Sequence, residues 1–157
     1  MARTLVRQFR RADLPSIKKL IQDLHPEWFT EEALENIPRD ILLARCLVAD
    51  ADGSVVGFVS FHSDDGKPSL GWLATDRGRR GTGVGRLLVE TVVGELQGLG
   101  YKDVRVRTVG ECEPIYTPYA ETLAFYKSMG FVIEKRGRLR HDLGFRWRYS
   151  TLRKRLK

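Results

Sequence analysis

Two cysteines, Cys46 and Cys112, are all that 157 residues contain. They could form one bridge at most, and their spacing offers no metal site, so a disulfide framework and a zinc module are both set aside. No apolar run approaches the roughly 18 residues needed to cross a bilayer. The opening stretch is interrupted by Arg3 and Arg7 and has no apolar core of the kind that marks an export signal. These absences predict a cytoplasmic chain with reduced thiols, no membrane partner and no metal. Low-complexity tracts, internal repeats and linkers are also missing, which predicts a single domain over residues 1–157. Hydrophobic residues make up 42% and charged residues 30%, a balance that argues against disorder.

The net charge of +7 is unevenly spread. Residues 135–157 hold 10 basic side chains against one acid, Asp142, a local +9, and the rest of the chain is close to neutral at −2. A basic C-terminal end of this kind suits either a solvated hairpin or a polyanion contact. The solvated reading is preferred, so nucleic acid is not the expected partner.

Periodicity and turn chemistry order the elements. Thr4–Phe9 alternates as a strand. Asp13 is placed to cap a helix carrying Leu14, Ile17, Leu20, Ile21 and Leu24, which Pro26 ends. Thr30 caps a second helix, with Glu31 and Glu32 in its first turn and Pro38 expected to close it. Arg45–Ala49, Ser54–Phe61 and Ser69–Thr75 read as a meander with turns at Asp52-Gly53 and Asp65-Gly66. After an Arg/Gly-rich loop, Val84, Leu87, Leu88, Val92, Leu96 and Leu99 form the apolar stripe of a long helix that Gly100 stops. A strand over Asp103–Val109 leads to a loop containing Pro114 and Pro118. A helix over Tyr119–Met129 then ends at Gly130, and Phe131–Lys135 and Arg146–Leu152 form a hairpin. The order β-α-α-β-β-β-α-β-α-β-β predicts an α/β chain of the α+β type. Its sheet is central, mixed and mostly antiparallel, with six to seven strands and about four helices.

The segment Asp76–Arg86 joins a strand directly to the long helix. Alternate glycines at Gly81, Gly83 and Gly85 let a ligand approach the backbone. Free N–H groups at the helix start favour an anion, and Arg79, Arg80 and Arg86 add positive charge. A pyrophosphate is the ligand these features suit. The loop lacks the Gly-Lys-Ser/Thr of a P-loop. It also lacks the third glycine of a dinucleotide fingerprint, because Arg86 or Leu88 stands there.

Arg80-Gly81-Thr82-Gly83-Val84-Gly85 resembles the R/Q-x-x-G-x-G/A loop of the GNAT superfamily of N-acetyltransferases. Leu73-Ala74-Thr75 resembles the family's preceding strand, which splays from its neighbour. Phe125-Tyr126-Lys127-Ser128-Met129-Gly130-Phe131 resembles its FYxxxGF segment. The element order resembles the GNAT fold over nearly the whole chain. The resemblance implies acetyl-CoA as co-substrate and a primary amine as acceptor, attacked directly in a ternary complex. A homodimer is also in keeping with the family. Leu73, Ala74 and Thr75 would pair with the pantetheine arm. Arg80, Gly81, Thr82, Gly83, Val84, Gly85 and Arg86 would hold the pyrophosphate, and Tyr126 would lie near the sulfur. Tyr119 occupies a position where the family often has an asparagine on the cofactor, with Thr122 in place of an alanine, so Tyr119 is carried as a cofactor contact.

Acetyl transfer needs a neutral amine, a donor for the oxyanion and an acid for the departing thiolate. Tyr126 suits the last role. The family often places a glutamate on the strand before the glycine loop, but Leu70–Thr75 contains no acid. Glu113 and Glu111 are the candidate bases, expected in the loop after Val109 and facing the acceptor. His62 and a water chain are alternatives. Glu27 and the acids of residues 110–119 predict a cationic acceptor. Cys112 is disfavoured as a covalent nucleophile. Trp28, Phe29 and Trp72 read first as core residues and second as acceptor-pocket walls. The competing function class is a non-catalytic acyl-CoA sensor or a nucleic-acid-associated module that uses the basic end.

Overall fold

The computed structural model describes residues 3–157; Met1 and Ala2, which open the stretch read for an export signal, lie outside it. Strand β1 (Thr4–Gln8) precedes helices α1 (Leu14–Leu24) and α2 (Glu31–Leu43). Next come β2 (Arg45–Ala51), β3 (Ser54–Asp64) and β4 (Lys67–Thr75), then α3 (Val84–Gly98) and β5 (Asp103–Glu113). Helix α4 (Thr117–Ser128), β6 (Val132–Arg136), β7 (Arg140–Asp142) and β8 (Phe145–Arg155) follow. Eight strands form one sheet in the order β1-β2-β3-β4-β5-β8-β6, with β7 also paired to β8. Every pair is antiparallel except β4 with β5. The fold class expected from the sequence is therefore found, with β7 as an additional strand.

Local chemistry accounts for most boundaries. Asp52-Gly53 and Asp65-Gly66 both adopt positive φ at each residue, as tight hairpin turns require. The Thr30 hydroxyl accepts from the Ala33 amide at 3.2 Å. Asp13 precedes α1 but does not cap it. Its carboxylate accepts from the Arg10 amide at 2.8 Å and from two nitrogens of Arg7 at 2.9 Å, so the neighbouring guanidinium has taken the capping group. Pro38 lies inside α2 and does not end it. Proline has a helical φ, and its missing N–H leaves only one carbonyl a turn earlier without its bond. Burial of Ala33, Ile37 and Ile41 outweighs that loss.

The two sheet faces carry separate cores. On one face α3 and α4 pack Leu88, Val92, Leu96 and Tyr126 against Val59, Val104, Val106 and Leu152. On the other, α1 and α2 pack Ile17, Ile21, Ile37 and Ile41 against Val48 and Phe58. The buried stripe of α3 includes Val89 and Val93, whereas Leu87 and Leu99 of the expected stripe are exposed. The basic C-terminal end forms a strand hairpin, β7 with β8, and β8 runs on to Arg155. Arg153, Lys154 and Arg155 pair with Arg105, Val104 and Asp103 of β5, and Leu156 is buried.

Candidate active site

The parallel strands β4 and β5 meet through a single bridge pair, Ser69 with Arg105, and diverge beyond it. Past that point the cleft-side backbone of Leu73–Thr75 faces no partner strand. The opening contributes to a cleft of about 600 Å³ lined by Leu73, Ala74 and Thr75 on one side and by Val106–Val109 on the other. A bulge in β4 accompanies the divergence: Gly71 and Trp72 stand opposite Ser60 of β3, whose hydroxyl accepts from the Trp72 amide at 2.7 Å, with Gly71 packed tightly against that hydroxyl.

At one end of the cleft lies the glycine loop. Gly81 and Gly83 have φ of 76° and 92°, and Gly83 in the left-handed region starts α3. The first intrahelical bond runs from the Leu87 amide to the Gly83 carbonyl at 2.9 Å. The N–H groups of Val84, Gly85 and Arg86 therefore precede any helical acceptor. A Cβ on Gly85 would stand 3.4 Å from the Thr75 hydroxyl and 3.5 Å from the Phe125 ring, where the cleft narrows. Arg79, Arg80 and Arg86 line the same end. Arg80 stacks on the Trp28 ring at 4.1 Å, and Glu121 approaches it only to 3.8 Å. Open amides, a helix dipole and three weakly paired guanidiniums fit a pyrophosphate. Thr82 belongs to a different role: its amide and hydroxyl both bond the Arg79 carbonyl, and the residue does not line the cleft.

Tyr126 lines the cleft from α4. It is buried beside Phe125 and Phe131, with ring centroids 5.2 and 5.5 Å away. Burial holds its phenol well above the ordinary range, so it stays protonated. Tyr119 lines this cleft and a second cavity of about 530 Å³, and burial also pushes its phenol up.

The expected bases are placed elsewhere. Strand β5 continues to Glu113, so Glu111 and Glu113 stand on a strand and not in a loop. A bulge between Val109 and Glu111 reverses the alternation. Glu111 is thereby turned to Arg136 and Arg148, each at 3.3 Å. Both glutamates line the second cavity and neither lines the cleft. Glu27 is held by Arg77 at 2.8 Å, and His62 faces Asp64 at 3.2 Å. Cys112 is in the second cavity. The connection after β5 is short, because α4 begins at Thr117 with Pro118 in its first turn. The Tyr116 hydroxyl ties it to the Glu27 carbonyl at 2.7 Å.

Trp28, Phe29 and Trp72 line the cleft on the α1–α2 side. The Trp72 indole donates to Asp40 at 3.0 Å, and its ring meets Phe29 edge-on at 6.0 Å. The sequence reading did not single out Arg107 or Tyr149, which line the same end. The available signal was the alternation of Val104 and Val106 with Arg105 and Arg107 along β5.

A sequence profile described as the acetyltransferase (GNAT) domain matches residues 43–133, more than half of the chain. The chain belongs to the GNAT acetyltransferase family. It is an acyltransferase by that membership. The fold is shared with a protein assigned to the GNAT family from Desulfovibrio desulfuricans: TM-score 0.83, 20% identity, 99% of this chain and 100% of that one covered. The ribosomal-protein-S18-alanine N-acetyltransferase of Escherichia coli aligns with TM-score 0.77 and 17% identity over 99% of this chain and 95% of that one. yncA from Salmonella typhimurium, solved with its cofactor acetyl-CoA, aligns with TM-score 0.71 and 18% identity over 98% and 94%. No curated protein matches the sequence. Within the GNAT profile fall the splayed β4, the glycine loop and the Phe125-Tyr126 pair, the elements that build the cleft.

Proposed function

We propose that this GNAT protein is an N-acetyltransferase that moves the acetyl group of acetyl-CoA to a primary amine by direct attack in a ternary complex. The observation that carries the reading is the cleft between β4 and β5, which joins the free amides of α3 to Tyr126. The amides of Val84, Gly85 and Arg86, with Arg79, Arg80 and Arg86, would hold the pyrophosphate. The open edge of Leu73–Thr75 would pair with the pantetheine amides as an added strand does. Tyr119, at the junction of the two cavities, would border the same arm. The yncA structure with acetyl-CoA and an aminoglycoside 6'-N-acetyltransferase structure with coenzyme A support this choice of co-substrate on the same fold.

Acetyl-CoA supplies an activated thioester. The acceptor nitrogen bonds to the thioester carbon, the carbon–sulfur bond breaks, and the electron pair leaves with sulfur. Tyr126 donates its proton to that sulfur. The proton lost by the amine leaves through water and so restores the phenol. Among the described residues the lining of the cleft includes one acid, Glu121, beside Arg80. The amine would lose its proton to water, with no carboxylate beside Trp28 and Trp72 in the cleft lining to act as its base. Thiol release from acetyl-CoA, measured across a panel of amines, tests the proposal. Acceptor-dependent release supports it, and binding of acetyl-CoA without release to any amine counts against it.

A further inference from the structure

Val104 and Val106 are buried in the core beneath α3, so Arg105 and Arg107 stand on the opposite face of β5. That is the face onto which the α1–α2 end of the cleft opens. Arg105 is fully engaged, by Glu134 at 2.7 Å and Asp103 at 3.1 Å. Arg107 is exposed and forms no ion pair among the described residues. Its guanidinium lies 4.4 Å from the centroid of the Tyr149 ring. Stacking holds the plane in position and leaves its N–H edges open for a planar anion. Trp147 meets the Tyr149 ring at 5.0 Å, and Arg140 reaches both rings at 5.4 and 5.6 Å.

Among the described residues, the one acid lining the cleft is Glu121, and Glu111 and Glu113 line the second cavity instead. Glu27 is bound to Arg77, Glu111 is turned to Arg136 and Arg148, and Glu121 sits at the pyrophosphate end beside Arg80. A polyamine would meet an unpaired guanidinium. A carboxylate would meet a preorganised donor fork against an aromatic wall.

We infer that the acceptor is an amine that carries a carboxylate, with Arg107 as the residue that anchors it. The inference rests on the acetyl-transfer reading above and departs from the cationic acceptor expected from the sequence. It also has a chemical consequence. A carboxylate beside an ammonium raises the pKa of that ammonium; pairing the carboxylate with Arg107 cancels the effect and favours the neutral amine where the cleft holds no base.

Thiol release is measured with four acceptors: L-glutamate, L-glutamate diamide, the peptide Ala-Glu-Glu-Glu and spermidine. At least one carboxylate-bearing acceptor is expected to exceed both the diamide and spermidine in kcat/KM by about tenfold or more. Arg107→Ala should raise the KM of that acceptor by about 10- to 100-fold with a smaller change in kcat. Arg107→Lys should recover part of the loss, Arg107→Glu should invert the acceptor order, and the KM for acetyl-CoA should not move. A free amino acid as best acceptor assigns the carboxylate to a small molecule; the peptide assigns it to an acidic polypeptide terminus reaching toward Trp147 and Arg140. Preference for the diamide or spermidine, or an unaltered Arg107→Ala enzyme, overturns the inference and leaves acetyl transfer standing. If no acceptor releases thiol, the transfer reading is the one that fails. Calorimetry with CoA-saturated protein then reads the Arg107 contact without turnover: Arg107-dependent binding of N-acetylglutamate over N-acetyl-lysine amide upholds a carboxylate ligand at Arg107, and equal or absent binding overturns it.

Discussion

The arginines of the glycine loop and those of β8 are the same residue type at similar local density, yet the fold uses them in opposite ways. Arg79, Arg80 and Arg86 surround a helix start whose amides have no acceptor, and the ion pairs of Arg80 and Arg86 are loose, at 3.8 Å. In β8 three of the five cations, Arg148, Arg153 and Lys154, are spent on the protein itself. Arg153 bonds Asp103 at 3.0 Å, Lys154 donates to the Met129 carbonyl at 2.8 Å, and Arg148 approaches Glu111. The comparison teaches that a basic segment suits a pyrophosphate where backbone donors and guanidiniums are left unpaired together. Charge density along the sequence cannot tell the two cases apart.

Removing residues 153–157 should break the comparison most severely. The deletion strips three register pairs from β5 and the buried Leu156. A loss of at least about 3 kcal/mol is expected from the lost leucine burial and ladder bonds, read as a lower urea midpoint. An unchanged midpoint would mean that the basic end is a dispensable tail after all.

On the other side of the comparison, Gly85→Glu places a carboxylate among the free amides at a position of ordinary φ, so the helix start need not strain. Acetyl-CoA affinity should fall about 100-fold or more through like-charge repulsion with the pyrophosphate. Titration calorimetry on the folded variant checks it, and retained affinity would move the phosphate site elsewhere.

The Arg7–Asp13 pair joins two guanidinium nitrogens to both carboxylate oxygens, each at 2.9 Å. Hydrogen bonds from Arg7 hold the Asp13 carboxyl below its ordinary range, and Arg7 also lowers Asp50. The unfolded carboxyl titrates near about 3.9. The pair's contribution is therefore complete above that pH and is lost as pH falls through the lower folded value. Asp13→Asn should cost about 1–3 kcal/mol at neutral pH and flatten the acid side of the stability profile. Melting curves from pH 7 to pH 2 would record both. Arg153→Ala should have the smallest effect, up to about 1 kcal/mol, because the Arg153–Asp103 pair is partly exposed.

Features set by a few adjacent residues were legible in advance. The Asp-Gly turns, the Thr30 cap, the Gly100 and Gly130 stops, the glycine loop and the Phe125-Tyr126 segment all fall where the sequence puts them. Features decided by distant partners were not. The alternation of β5 would carry Glu111 to the face of Arg107, but the bulge against Tyr149 and Arg148 turns it away. Asp13 has the chemistry of a cap and is claimed by Arg7 instead. Arg107 reads as one arginine among many until the pairing of Arg105 and the ring of Tyr149 set it apart.

The central claim is that the splayed cleft transfers an acetyl group with Tyr126 protonating the sulfur, and Tyr126→Phe tests it most directly. The substitution keeps the ring that packs on Phe125 and Phe131 and removes only the hydroxyl. Steady-state thiol release on wild type and variant, over pH 6 to about pH 10, is the measurement. Because burial holds the phenol protonated, the wild-type rate should rise with amine deprotonation and show no alkaline fall below about pH 10. The variant should lose about 100-fold or more in kcat, with acetyl-CoA affinity within a few-fold of wild type. A Tyr126→Phe enzyme with full kcat across that range would contradict the account.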